Sequence, residues 1–125
     1  MAEAAMKVEQ VQVDQIPEAL RSHYVDAVNM PWEQLSEKSF RKILFKDEVT
    51  GRETWLSKIL PGGVIPYHEH PDLEMTYVLE GSLEDVEGAC TAGNFVWRPA
   101  GSRHTAKAPH GALFIAFFGK ASRRL

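Results

Sequence analysis

The chain has little of several things, and each shortage closes off a class of protein. A single cysteine, Cys90, excludes an intrachain disulfide, so the thiol content does not point to an oxidising compartment. No apolar run is long enough to cross a bilayer, since the longest, Leu113 to Phe118, has the length of one buried strand. The start, Met1 to Lys7, carries one lysine with no apolar stretch behind it and does not read as a signal peptide. Charge of either sign is also scarce in excess, with a net of −3, so no broad field would recruit a polyanion. These shortages predict a cytoplasmic protein with neither a membrane nor a nucleic acid as partner.

What is present is enough apolar material for one core. The chain has 125 residues, 44% of them hydrophobic, which suits a single compact domain. Residues 1–39 differ in character from the rest. They begin polar and then, over Ile16 to Val28, place apolar residues at loosely helical intervals, which fits either a short helix or an extended arm packed on the domain or on a partner. Residues 40–125 carry the punctuation of an all-β domain. Phe40 to Val49 and Arg52 to Leu60 flank Thr50-Gly51, a hairpin turn in which glycine supplies positive φ. Glu74 to Leu79, Asn94 to Trp97 and Leu113 to Phe118 are further strands, broken by Gly81, Gly93, Pro99-Ala100-Gly101 and Pro109-His110-Gly111. Short strands with turns this close predict a closed barrel or jelly roll.

Two histidines, His68 and His70, stand two residues apart in an extended segment. Side chains at i and i+2 of a strand share a face, so both imidazoles can reach one point. Glu74 has the same parity and returns from the start of the next strand after Pro71. His104 follows the turn Pro99 to Arg103, which aims it back from a neighbouring strand. Three imidazoles and a carboxylate suit one divalent ion of iron, manganese, nickel, cobalt or zinc, and leave positions free for outside ligands. Glu69, between the two histidines, should face outward. Tyr67, Tyr77, Trp97 and Arg98 lie beside the ligand strands as candidates for a substrate pocket, against the alternatives of packing or rim charge.

With these residues in view, the chain resembles the cupin superfamily. Gly62, His68, His70, Glu74 and Gly81 match the spacing of the first cupin motif, and Gly93, Pro99, Gly101 and His104 match the second. Where the second motif usually ends in asparagine this chain has Ala108, and the segment between the motifs, Ser82 to Ala92, is short enough to imply a tight hairpin. The resemblance implies a double-stranded β-helix, a metal held by His68, His70, Glu74 and His104, and a homodimer. It also implies several functions. The first is a non-haem dioxygenase using Fe(II) and O2 on a diketone, hydroxyketone or phenolic compound, with Glu74 holding the ion or taking the substrate proton. A second follows from the likeness of Val78 to His104 to the ChrR-like cupin of zinc-containing anti-sigma factors. It would be sensory, although residues 1–39 are few for a sigma-binding domain. A metal-dependent isomerase or lyase is a third.

Overall fold

Strands that alternate inward and outward side chains close here into two antiparallel layers around a core of small and aromatic residues. The computed structural model describes residues 10–125. Its strands are β1 Glu33–Ser36, β2 Ser39–Lys46, β3 Glu53–Ile59, β4 Gly63–Glu69, β5 Glu74–Asp85, β6 Gly88–Thr91, β7 Phe95–Arg98, β8 Arg103–Ala108, β9 Ala112–Phe118 and β10 Arg123–Arg124. They pair in the order β1-β2-β3-β9-β5-β8-β4-β10, with β6 and β7 also on β5. The fold is thus the all-β jelly-roll barrel that the sequence predicts. Burial alternates strictly along β8, where His104, Ala106 and Ala108 point in, and nearly so along β9, where Ala112, Phe114, Ala116 and Phe118 do. With Ile59, Val78, Leu83 and Cys90 the apolar members of these two strands form the core.

Three details differ from the sequence reading. The segment Ile16 to Val28 forms no α-helix. Among the described residues before β1 there are only two 3₁₀ turns, Val13–Gln15 and Glu18–Leu20, and Leu20, Val25 and Val28 are exposed, so the apolar side chains of this stretch are not gathered on a buried helical face. It is anchored instead at its end, where the buried Lys42 ammonium donates to the Ala27 carbonyl at 2.7 Å and lies 4.7 Å above the Trp32 ring. The first nine residues of the expected arm lie outside the described residues. Strands also form over β1 and β10, beyond those expected. Finally, Gly81 does not reverse the chain. β5 runs through it at φ +74°, its first half pairing with β7 and β9 and its second half with β6 and β8.

This passage from one layer to the other reverses the parity of β5. Before Gly81 the inward residues are Glu74, Thr76 and Val78; after it they are Leu83 and Asp85. A register shift against β9 between Val78 and Glu80 supplies the extra residue, as in a β-bulge. The turn expected at Gly51 closes the β2–β3 hairpin and the one at Gly101 precedes His104, whereas Gly93, like Gly81, does not reverse the chain, since β6 and β7 on either side of it both run antiparallel to β5. The short Ser82 to Ala92 segment forms the β5–β6 hairpin, with Asp85 Oδ1 accepting from the Glu87 and Gly88 amides.

A side chain at Gly81 would be strained twice, by its positive φ and by a Cβ placed 2.0 Å from the Gly111 carbonyl oxygen. Gly93 has an equally positive φ, +83°, with nothing within 4 Å of a would-be Cβ. Gly93→Ala should therefore cost about 1–2 kcal/mol, the conformational term alone. Gly81→Ala should cost about 3–5 kcal/mol, measured by urea denaturation, and equal losses would show that the close approach of β9 is unimportant.

Candidate metal centre

Polar groups are rarely the most buried side chains of a domain, yet here one of the two largest fully buried side chains is His70. Its position follows from backbone pairing. His68 and His104 are direct partners across β4 and β8, and His70 follows one residue past the end of β4. There the His70 amide donates to the Ser102 carbonyl at 2.9 Å and the Gly101 amide donates to the His70 carbonyl at 2.7 Å. The turn before β8 is thereby clamped to the ligand segment. A register shift between Ile65 and His68 lets Pro66 and Tyr67 both face out before His68 turns in.

The three rings meet edge to face, with centroids 4.6 to 4.9 Å apart. Nε2 of His68 stands 3.1 Å from Nε2 of both His70 and His104. The other ring nitrogens are taken up. Nδ1 of His68 donates to the Pro66 carbonyl at 2.8 Å and Nδ1 of His104 donates to Asp85 Oδ2 at 2.9 Å, while Nδ1 of His70 pairs with Ser102 Oγ at 3.0 Å. A carbonyl and a carboxylate only accept, so both His68 and His104 must carry their proton on Nδ1. Burial lowers the His68 pKa below its usual value. Burial, aided by the nearby Arg98 guanidinium, likewise lowers His104 to about 4, against its hydrogen bond to Asp85. Both rings are then neutral near pH 7, and two Nε2 lone pairs face each other at hydrogen-bond distance with no proton between them. A cation relieves that repulsion. The residues present therefore fit a metal ion, held by Nε2 of His68, His70 and His104, with Asp85, Ser102 and the Pro66 carbonyl fixing ring orientation from behind.

Glu74 stands slightly apart from this group. The ligand atoms of the three histidines lie within 4.8 Å of one another, and no Glu74 oxygen joins that set. Its Oε2 lies 2.9 Å from His70 Nε2, and its Oε1 accepts from the Thr76 hydroxyl at 3.2 Å. Burial works against its charge, but the contacts with His70 and Thr76 and the field of Arg98 outweigh this and hold the carboxyl below its usual pKa. An ionised carboxylate thus borders the three-histidine group.

Two cavities flank the histidines. One, of about 470 Å³, is mainly apolar and is bordered by His68, Glu74, Thr76, His104, Trp55, Ile65, Phe114 and Phe118. The other, of about 520 Å³, is bordered by His70, Asp85, Cys90, Trp97, Pro99, Ser102 and His104. Arg98 lines both, with Nη1 2.9 Å from Asp85 Oδ2. Tyr67 and Tyr77 are 49% and 41% exposed on outward positions, and neither lines either of these two cavities. Trp97 lines the second cavity but is itself 61% exposed. Glu69 faces away, paired with Arg103 at 3.2 Å and with Arg123. Asp85, Ser102 and Thr76 were not singled out in the sequence. The parity reversal at Gly81 hides Asp85 from any strand count begun at Glu74.

The ChrR cupin-like domain model matches residues 20–122. The chain belongs to this family. No curated protein sequence matches this ChrR-like cupin. Among solved structures it is similar to a candidate acetylacetone dioxygenase of Methylibium petroleiphilum PM1, with a TM-score of 0.78 and 16% identity over 88% of this chain and 85% of that one. The acetylacetone dioxygenase of Acinetobacter johnsonii aligns with a TM-score of 0.67 and 15% identity, over 94% of this chain and 80% of the other. The anti-sigma factor ChrR of Rhodobacter sphaeroides, solved in complex with SigE, gives a TM-score of 0.65 and 25% identity over 72% of this chain, which spans 50% of that one.

The cluster makes a specific demand on Asp85. Asp85→Asn should weaken zinc affinity about 10–100-fold, measured by competition with a chelating dye, and His104→Ala should abolish stoichiometric binding. Wild-type affinity in Asp85→Asn would mean that this carboxylate does not orient the ligand.

Proposed function

We propose that this ChrR-like cupin is a metal-dependent dioxygenase that cleaves a small dicarbonyl or related oxygenated compound, with Fe(II) held by His68, His70 and His104. The observation that carries the reading is an ionised, buried carboxylate beside a three-histidine group, with Glu74, His68 and His104 lining an apolar cavity of about 470 Å³. A structural zinc is normally closed by four protein ligands, whereas three ligands beside a cavity leave coordination open for reaction. The fold-level likeness to acetylacetone dioxygenases agrees with this choice.

When bound, a redox-active divalent ion would supply Lewis acidity toward two substrate oxygens and the means to reduce dioxygen. The chain supplies the rest. Glu74 Oε2 is the proton acceptor for the acidic C–H between two carbonyls, and the Thr76 hydroxyl on Oε1 orients it. Trp55, Ile65, Phe114 and Phe118 wall the cavity and exclude water from the carbanionic substrate. Asp85 and Ser102 hold His104 and His70 in the orientations that keep Nε2 inward.

The family match favours a second reading, a zinc-binding sensory cupin that works with a separately encoded partner such as a sigma factor. The open side of the three-histidine group ranks it below the enzyme.

We also propose that two copies pair through the outer face of β5, β7 and β9. Tyr77, Phe95, Trp97 and Phe117 are 40% or more exposed there, with Leu79 beside them at 39%. A contiguous apolar patch of this kind marks an interface. Sedimentation equilibrium should give twice the 14.0 kDa chain mass, falling to the monomer in Phe117→Glu. A monomeric wild type removes this pairing.

The Fe(II)-loaded protein should consume oxygen with acetylacetone or a related diketone or hydroxyketone. Glu74→Gln should lower kcat by about 100-fold or more while leaving metal content unchanged. No oxygen uptake with any substrate in the panel, under iron, manganese, nickel or cobalt, would sink the oxygenase reading. Zinc that resists exchange would then favour the sensor.

A further inference from the structure

A cation inside a barrel keeps its charge only by pairing, and the way Arg98 is paired leaves part of it unused. Its Nη1 meets Asp85 Oδ2 at 2.9 Å and lies 3.9 Å from Glu87 Oε2. Among the described residues none accepts a hydrogen bond from its Nε or Nη2, and no fully buried side-chain nitrogen is left without a partner, so this edge of the guanidinium reaches solvent. Arg98 pairs across β5 and β7 with Glu74, lines both cavities, and keeps only 15% of its side chain exposed. The Nε–Nη2 edge of a guanidinium is a two-pronged donor whose spacing matches the two oxygens of a carboxylate.

Of the other cations lining the cavities, Lys58 is exposed, with its ammonium 5.7 Å from the Trp32 ring centroid, and Arg41 and Arg103 are already engaged. Arg41 gives Nε and Nη2 to the two Glu33 oxygens, each at 3.0 Å, and stacks 4.3 Å over the Trp55 ring. Arg103 is half exposed and turned to Glu69.

We infer that Arg98 is the anion receptor of this site and that the substrate carries a carboxylate in addition to its dicarbonyl group. The dicarbonyl part of this inference rests on the oxygenase reading above. Charge agrees with it. Imidazoles that ligate a metal add no charge of their own, so the Glu74 and Asp85 carboxylates, the Arg98 guanidinium and a divalent ion would sum to one excess positive charge, which a monoanionic substrate cancels. Shape agrees as well, because the apolar walls beside Glu74 accommodate the carbon skeleton while Arg98, across from Glu74, takes the charged end.

The test uses the full chain loaded with Zn(II), so that binding is measured without turnover. Calorimetry would compare 4,6-dioxoheptanoate, whose carboxylate is two methylenes from the dicarbonyl, with its methyl ester. The acid should bind about tenfold or more tightly than the ester in the wild type. That preference should vanish in Arg98→Gln and shrink in Arg98→Lys, which keeps the charge and loses the two-pronged edge. Equal binding of acid and ester by the wild type, or an undiminished preference in either variant, overturns the assignment. Oxygen uptake by the Fe(II) form separates the two claims. A preference for the acid without oxygen uptake keeps the receptor and removes the oxygenase, and uptake without a preference does the reverse.

Discussion

Imidazole lone pairs aimed at one another repel unless a cation lies among them, and the architecture around His68, His70 and His104 is arranged to keep them aimed. Each Nδ1 is held by a different kind of group from a different part of the chain: the Pro66 carbonyl in β4, the Ser102 hydroxyl in the turn before β8, and the Asp85 carboxylate at the far end of β5. The arrangement therefore exists only once β4, β5 and β8 have paired. It also explains why burial at this point is tolerable, since every buried polar side-chain atom among the described residues has a partner.

Two irregularities bring these strands to bear on one point. At Pro66-Tyr67 the register shift against β8 places two residues in a row outward, after which His68 and His70 share the inner face. Gly81, with its positive φ and its contact with the Gly111 carbonyl, moves β5 from one layer to the other and turns Asp85 inward. Each bulge gives up regular ladder pairing and gains a side chain direction that an even strand would deny. Ala108 shows the same economy of space: fully buried opposite Gly63, it has its carbonyl bonded to the amides of Gly62 and Gly111, and a larger polar side chain would have to be buried among them.

Around the histidines the molecule divides into a mostly apolar chamber and a more polar one, with Arg98 and His104 where they meet. Relatives of 15% to 25% identity share the barrel. A shared barrel does not determine chemistry. That depends on which donors remain uncommitted beside the metal ligands. Here the group left uncommitted is one edge of the Arg98 guanidinium, while the Glu74 carboxylate is held by His70 and Thr76.

The sequence by itself determined that the chain is a barrel of short strands and that His68, His70 and His104 meet. Both conclusions rest on local rules, because turn chemistry at Gly51, Gly93 and Gly101 and the two-residue repeat of a strand act within a few residues. The tertiary structure decided the rest. Glu74 shares parity with the histidines, yet its carboxylate rests against His70 outside the group of three, a matter of where β5 begins relative to β4. Tyr67 sits beside a ligand and still faces out, because the Pro66-Tyr67 bulge breaks the count. Asp85 and Ser102, 19 and 32 residues from the histidines they hold, are joined to them only by pairing across the barrel. Parity can be read along one strand up to its first bulge, and no further, because a single extra residue exchanges the two faces.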